Sequence, residues 1–372
     1  MTTYPSPTFG TFGTLRTLRM QLNTFYSGPQ AWFFLAAERG YLRDEGLAID
    51  FTEGDTAANT IPKMAAHVDE GGFDGGSFDV GNFDLGYGDI NALIEHMAAG
   101  KPNAPLAVFA SYNASPYALA VPRVTAGAAT IYGPLQLAGK RLVAHPNDAA
   151  LNLFAELCAK TGLDPASVTI DISSAPHSEL VPQMLAGRWD GLFGFVNTLI
   201  AAALDAGLAA PRDHLRFIEY HDHIPELYGM ALMVNRRLAN AEPHTVQALL
   251  RALNRGLADT VADPQAAIDA LARHANAMAL LPGLQGTSIE AAKPTFNIAS
   301  NLRRLLGTFE LEMGRAEGAV LGIGDLDDAR FAAGIDLIVD TKNYPNRPKP
   351  ADVFSRTFLP PLAERVRSLA QP

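Results

Sequence analysis

The chain has 372 residues, of which 48% are hydrophobic and 18% charged. Its mean hydropathy is +0.05, so we expect a globular protein, and its length suits one unit built of two α/β lobes. The formal net charge of -10 argues against nucleic acid or an anionic membrane as a partner. A single cysteine, Cys158, excludes an internal disulfide and any metal site built from cysteines.

The chain begins with a Thr/Gly/Pro-rich stretch, residues 1–17, which predicts a flexible arm. This arm has no apolar h-region and no small-residue cleavage site, so it does not read as a secretory leader. The sequence also contains no long uncharged apolar run of the kind that spans a bilayer.

The arm is followed by a predicted βαβ unit. Apolar and polar residues alternate over 18–23, which predicts a strand, and Pro29 and Gly40 bound a helical pattern. A second strand is predicted at 47–51. Ligands in open α/β sheets bind beyond the carboxyl ends of parallel strands, so residues 23–30 are expected to meet a small molecule.

The rest of the chain alternates between strand and helix patterns, which is typical of an α/β fold. Residues beyond Phe331 are expected to cover the first lobe. Helices are predicted at 56–67, 90–99, 149–161, 179–186, 243–262, from 264 onward, and at 301–314. Strands are predicted at 83–86, 105–112, 117–122, 139–144, 168–172, 189–193, 215–220 and 229–235.

An Asp/Gly-rich segment invites a calcium-binding interpretation, because Asp74, Asp79, Asp84 and Asp89 recur every five residues. The EF-hand pattern is absent and the glycine spacing does not match calcium-binding nonapeptide repeats. We therefore favour a strand preceded by an inserted loop. Asp89 then either faces a cleft or caps the helix that follows it.

A second ambiguous segment is the start of the helix at residue 149. Its free backbone N–H groups would attract a sulfonate, carboxylate or phosphate. Alternatively, Asn147 or Asp148 caps the helix and satisfies those groups itself.

Five segments together resemble one known family, the type II periplasmic solute-binding proteins that bind sulfonates, nitrate or thiamine pyrimidine precursors. The resemblance spans residues 18–275 in the family's order. It rests on GYLRDEGLAIDF at 40–51, LAGKRLVAHPND at 137–148, TGLDPASVTID at 161–171, VPQMLAGRWDGLFGF at 181–195, and the return segment at 228–271.

The resemblance implies two lobes, each a mostly parallel sheet flanked by helices, joined by a two-strand hinge. Residues 18–112 and 235–372 would form lobe one, and residues 118–234 lobe two. It also implies a monomer without a cofactor that passes its ligand to an ABC transporter permease. The family is periplasmic, so a leader has been removed or mis-assigned; if the sequence is complete as given, the protein is cytoplasmic.

The ligand is expected between the lobes, at the strand ends. Aromatic residues there favour a flat ligand, such as a pyrimidine precursor or an aromatic sulfonate or carboxylate, over nitrate. Trp32 is placed equally well in the core. We expect a ligand to touch both Tyr26 and Asn197 only when the lobes close. The predicted ligand-binding residues are Asn23, Phe25, Tyr26, Ser27, Gln30, Trp32, Tyr87, Asp89, Ser111, Tyr112, Asn147, Asp148, Phe195, Asn197 and Tyr228.

Catalysis on this fold is the alternative, in the form of a cytoplasmic enzyme acting on an aromatic sulfinate or carboxylate. The related aromatic sulfinate desulfinase carries its nucleophilic cysteine in the loop after the first strand, where this chain has Ser27 and no adjacent base. A relative that makes the thiamine pyrimidine from its own histidine needs a cysteine-rich iron site, which this chain lacks. We therefore predict no catalytic residue.

Metal binding has one local candidate. On a strand, Glu219, His221 and His223 would share a face, a spacing compatible with zinc or iron. Because no third histidine is nearby, we favour a polar loop beside the hinge and predict no metal ligands.

Overall fold

The computed structural model describes residues 14–66, 83–124, 130–279, 296–313 and 320–367. Within these ranges, ten strands form two five-stranded sheets. The strands are β1 Arg16–Gln21, β2 Leu47–Thr52, β3 Leu85–Asp89, β4 Leu106–Ala110, β5 Tyr117–Pro122, β6 Arg141–Ala144, β7 Thr169–Ile172, β8 Gly191–Phe195, β9 Leu215–Glu219 and β10 Met230–Val234.

Each sheet is mixed, with one strand that runs against the others. The first sheet has the order β2-β1-β3-β10-β4, and β10 is antiparallel to both of its neighbours. The second has the order β7-β6-β8-β5-β9, and β5 is antiparallel to both of its neighbours. The chain crosses from the first sheet to the second between β4 and β5 and returns between β9 and β10. The predicted fold class, α/β with two mostly parallel sheets, is confirmed.

Helices pack against both sheets and place the loops that follow each strand. Within the described residues they include α1 Ala31–Glu38, α2 Tyr41–Asp44, α3 Thr60–Ala65, α4 Ile90–Ala98, α5 Ala149–Asn152, α6 Phe154–Thr161, α7 His177–Leu185, α8 Val196–Asp205, α9 Pro211–His214, α10 Arg236–Ala241, α11 Pro243–Ala262, α12 Pro264–Ala279, α13 Ile298–Met313, α14 Asp328–Lys342 and α15 Pro350–Val353. In the described part of the chain, none of them has the length and apolar character needed to span a bilayer.

The opening βαβ unit forms as its sequence predicts. Leu18 and Met20 are fully buried on one face of β1. Pro29 lies in a 3-10 turn at Gly28–Gln30 that leads into α1, where its missing N–H costs no hydrogen bond. The chain then turns at Gly40, whose φ of +79° suits a residue without a β-carbon.

Helix α13 lies between the two lobes. It packs against α8, which follows β8 in the second sheet, and against the 3-10 turn that follows β1 in the first. Gly28 N donates to Asn301 Oδ1 at 2.8 Å, and Ala114 N donates to Leu311 O at 2.8 Å. The helix therefore covers the edge at which a ligand is expected to enter.

Helix α14 contacts the first lobe, which the residues beyond Phe331 were expected to cover, and it contacts the second lobe as well. It packs against α4 and against α6. Lys342 pairs with Glu95 of α4, and its Nζ lies 3.6 Å from Glu156 Oε1 of α6. The same ammonium donates to Asn152 O at 2.7 Å. A single side chain thus joins α14 to one helix from each sheet.

Candidate functional site

Five buried polar side chains meet where the carboxyl ends of the two sheets face each other. Tyr87 lies in β3, Ser111 and Tyr112 follow β4, Asn197 is at the start of α8, and Glu312 lies in α13. We call these five residues the interlobe cluster. The Ser111 hydroxyl donates to Met230 O at 3.0 Å, so the Tyr87 hydroxyl, 2.8 Å away, donates to Ser111 Oγ.

Glu312 is the most unusual member of the interlobe cluster. Its side chain is 2% exposed, and its Oε2 has no hydrogen-bond partner among the described residues. Loss of hydration raises the pKa of the carboxyl from its ordinary value of 4.5 to about 8. Burial raises the pKa of Tyr87 and of Tyr112. A negative charge on Glu312 would raise both pKa values further. At neutral pH this group is mostly a neutral carboxylic acid.

Asn197 brings the second lobe into the cluster. It is 4% exposed, and neither amide atom has a hydrogen-bond partner of good geometry in the described structure. Burial is the main reason that the pKa of Tyr112 is raised, and the neighbouring Asn197 amide opposes that rise. A β-carbon on Gly307 would lie 2.9 Å from Asn197 Cβ, so α13 packs closely over this amide. Buried polar atoms without partners are rare and point to an absent ligand or water.

Two further buried polar atoms lack a hydrogen-bond partner among the described residues, and one of them belongs to Trp32, which lies beside the cluster. Trp32 Nε1 is buried without a partner, and its ring centroid is 6.3 Å from that of Tyr87 and 5.6 Å from that of Phe109. Trp32 is therefore a core residue beside the site. Ser115 Oγ, which the sequence reasoning did not select, is also buried without a partner among the described residues. Its position in the crossing between the sheets is the only local signal it carries.

The predicted residues after β1 largely satisfy one another. Gln30 Nε2 donates to Asn23 Oδ1 at 2.7 Å, and Ser27 N donates to Gln30 Oε1 at 3.2 Å. Phe25 is 67% exposed, whereas the Tyr26 ring packs edge-on against Phe34 and His274. Tyr26 thus belongs to the packing of α1 and α12 and does not reach the interlobe cluster.

Two predicted ligand contacts have structural roles. Asp89 caps α4 by accepting from Asn91 N at 2.9 Å, and it also accepts from the Tyr117 hydroxyl at 2.7 Å. Burial raises the pKa of Asp89 to about 6, and the Tyr117 hydrogen bond opposes that rise. The Tyr228 hydroxyl accepts from Asp327 N at 2.8 Å, which ties β10 to the start of α14. The capping alternative for Asp89 is confirmed, and its side chain is 2% exposed.

Asp148 resolves the ambiguity at the start of α5. Its Oδ1 accepts from Ala150 N at 2.8 Å and from Leu151 N at 3.3 Å. The cap interpretation is therefore confirmed, and these N–H groups are not open to an anion. Asn147 is exposed with a φ of +55°. Phe195 is half-buried, with its ring centroid 5.5 Å from that of Tyr117.

The structure does not bring the metal-binding patterns considered from the sequence into the arrangement that each would need. Residues 220–222 form a 3-10 turn, so Glu219, His221 and His223 do not share a strand face. His221 Nε2 lies 3.8 Å from the Glu219 carboxylate and 3.4 Å from Asp222. Of the four aspartates considered for calcium, Asp74 and Asp79 lie outside the described residues, and Asp84 accepts from Arg19 N at 3.0 Å.

A different group of possible ligands lies at the carboxyl edge of the second sheet. His145 follows β6, Asp148 caps α5, and His177 is the first residue of α7; one ligand atom from each lies within 4.8 Å of the others. The two imidazole centroids are 4.1 Å apart. Burial and the neighbouring His145 lower the pKa of His177 to about 3, so this ring is neutral at physiological pH. The sequence reasoning missed the trio because 32 residues separate the histidines.

Comparison with known proteins agrees with this architecture. A family model described as NMT1/THI5 like matches residues 79–267. The structure is similar to that of the periplasmic aliphatic sulphonate binding protein SsuA from Escherichia coli, with 15% identity, a TM-score of 0.57, and coverage of 92% of this chain and 98% of that one. No curated protein sequence matches the chain significantly.

Two other solved structures share the fold. One is the alkanesulfonate-binding protein SsuA from Xanthomonas axonopodis pv. citri bound to MOPS, at 17% identity and a TM-score of 0.55, covering 89% of this chain and 95% of that one. The other is a mutant of DSZB in complex with biphenyl-2-sulfinic acid, at 12% identity and a TM-score of 0.54, covering 92% of this chain and 98% of that one. Because the family model matches just over half of the 372 residues, the chain belongs to the NMT1/THI5 like family, and it has the type II periplasmic-binding-protein fold.

Proposed function

We propose that this protein is the solute-binding component of an ABC importer, which closes its two lobes around a small ligand in the periplasm. The observation that carries the proposal is the interlobe cluster. It joins residues of both lobes and of α13, and it contains buried polar atoms of Asn197 and Glu312 that lack partners among the described residues. A ligand with matching donors and acceptors would satisfy them.

Hinge closure accounts for the burial of these groups. The two crossings between the sheets, β4 to β5 and β9 to β10, are the connections about which the lobes would separate. Separation would expose Tyr112 on one side and Asn197 on the other. Capture of a ligand between them would exclude water and restore the closed arrangement.

The chemistry of the cluster favours a neutral or amino-substituted heteroaromatic ligand over a sulfonate. Glu312 forms no ion pair in the described structure. Its raised pKa comes from loss of hydration, and no neighbouring cation lowers it. An anion beside Glu312 is compatible only with the protonated carboxyl, whereas an N–H donor can be accepted by either protonation state. An aminopyrimidine ring, in contrast, offers N–H donors to Glu312 and a flat face to Tyr112.

The test is a thermal-shift and calorimetry screen against aminopyrimidines, alkyl and aryl sulfonates, and aromatic carboxylates. A ligand at a hundred times its Kd stabilises the protein by about 2.7 kcal/mol. We expect an aminopyrimidine to bind, Asn197→Ala to speed its release, and small-angle scattering to show compaction on binding. Binding that is unchanged in both Asn197→Ala and Glu312→Gln, or a scattering profile unchanged by a bound ligand, would contradict the proposed cleft.

Ser27→Ala serves as the matched control, and it also tests catalysis. Ser27 is buried in the position corresponding to the nucleophile loop, but its hydroxyl makes no hydrogen bond to a base among the described residues. We expect ligand binding to change by no more than about 1 kcal/mol, the value of one hydrogen bond. Turnover of an aryl sulfinate that disappears in Ser27→Ala would replace the importer proposal with an enzyme.

The importer proposal also predicts a location and a partner. The natural gene product should be recovered in the periplasmic fraction, and the closed, ligand-bound protein should bind its permease more tightly than the open form. Recovery in the cytoplasm, with no ligand-dependent binding to a permease encoded nearby, would count against transport.

A further inference from the structure

His145, Asp148 and His177 form a cluster that shares no residue with the interlobe cluster, and Asp148, which the sequence predicted as a ligand contact, caps α5. The three residues come from two loops at the carboxyl edge of the second sheet: His145 and Asp148 lie between β6 and α5, and His177 begins α7 after β7. One ligand atom from each lies within 4.8 Å of the others. Both histidines are partly exposed and Asp148 is 8% exposed, so an ion could reach the group from solvent.

The hydrogen bonds of the two imidazoles fix which nitrogen is available. His145 Nε2 lies 2.7 Å from Ala175 O, and His177 Nε2 lies 3.1 Å from Phe193 O. A carbonyl oxygen only accepts, so each Nε2 must carry the proton and each Nδ1 must carry a lone pair. Metal-bound histidines usually donate their second ring N–H to a carbonyl or carboxylate in this way.

The backbone is shaped to hold the His177 ring in place. A β-carbon on Gly194 would lie 2.9 Å from His177 Nε2, so a larger residue in β8 would displace the imidazole. Asp148 is held equally well, because its Oδ1 accepts two backbone N–H groups. Its Oδ2 accepts no hydrogen bond from the described residues and remains available as a ligand.

We propose that His145 Nδ1, His177 Nδ1 and Asp148 Oδ2 bind a divalent transition metal of the zinc class. Two imidazoles and a carboxylate are a common ligand set for such ions, and three protein ligands leave a coordination position for water. The site goes beyond the solute-binding function, since it lies wholly within the second lobe and needs no lobe closure.

The experiment is a titration of the full-length, chelator-treated protein with Zn²⁺ by calorimetry and with Co²⁺ by visible absorption. We expect one ion per chain and the intense visible bands of four-coordinate Co²⁺. His145→Ala and His177→Ala should each weaken Zn²⁺ binding by at least about 100-fold, and Gly194→Ala by about 10-fold. Asp148→Asn should weaken binding while keeping the helix cap, so its melting temperature reports whether the fold is intact.

His244→Ala is the control, because His244 is an exposed histidine on α11 that carries the same chemistry elsewhere. Its Zn²⁺ affinity should equal that of the unmodified protein. Equal affinity in His177→Ala and His244→Ala would show adventitious binding and overturn the site, as would the absence of binding at micromolar Zn²⁺. The solute screen is run in chelator, so failure of the metal site leaves the solute-binding proposal standing, and the reverse also holds.

Discussion

Glu312→Gln tests the interlobe cluster through the pH dependence of stability. The carboxyl titrates at about 8 in the folded protein and at 4.5 when unburied. Between these values the unfolded chain has released a proton that the folded chain retains, so stability falls as pH rises. A span of about 3.5 pH units at about 1.4 kcal/mol per unit gives a loss of about 5 kcal/mol from this one group.

Glutamine removes the ionisation but keeps the shape and hydrogen-bonding capacity of the side chain. At pH 7 the free energy of unfolding of the unmodified protein is about 3 kcal/mol lower than it would be with a side chain that cannot ionise. We therefore expect Glu312→Gln to be more stable by up to about 3 kcal/mol at pH 7, and equally stable near pH 4.5.

The assay is urea unfolding at several pH values from 5 to 8, followed by intrinsic fluorescence. Glu179→Gln is the matched control, because Glu179 is exposed on α7 and its removal should leave the pH slope unchanged. Other buried acids add to the total slope, so the difference between the Glu312→Gln slope and the unmodified slope is the quantity to compare. If the two slopes agree within error, Glu312 is not buried in neutral form and the cluster is wrongly described.

Three further predictions follow from packing and pairing. Lys342→Met should lower the free energy of unfolding in urea by about 3 kcal/mol, because the buried Glu156 carboxyl loses its cation. Most of this loss should disappear in a background carrying Glu156→Gln. An equal loss in both backgrounds would refute the pairing. Asp89→Ala should lower the free energy of unfolding at pH 7 by about 3 kcal/mol, because the helix cap is lost and the Tyr117 hydroxyl is left unpaired. The loss should be smaller in a background carrying Tyr117→Phe. Additive losses would contradict the network. Gly307→Ala should lower stability by about 1–3 kcal/mol by pushing α13 away from α8, and an unchanged melting temperature would argue against that close contact.

The secondary structure could be predicted from the sequence because its determinants are local. The alternation that buries Leu18 and Met20 specifies β1, and the proline–aspartate boundaries of residues 243–262 specify α11 with the bounds that the structure has. The order of strands and helices, together with short family motifs, was enough to predict the two-sheet fold. The cap at Asp89 was one of two alternatives that the sequence offered, since a capping carboxylate needs only its own helix start.

The site depended on information that no local pattern carries. Glu312 lies in a helix that reads as scaffold, and only the packing of α13 between the lobes removes its hydration and leaves Oε2 unpaired. Tyr26 follows β1 as expected, yet the positions of α1 and α12 turn its ring into the core. His145 and His177 become neighbours because β6 and β7 are adjacent parallel strands of the second sheet, so the loops that follow them lie side by side. Periodicity and capping depend on residues a few positions apart, so the sequence by itself determines them. The burial of a side chain and its lack of a hydrogen-bond partner depend on every segment that packs around it, so only the tertiary structure decides them.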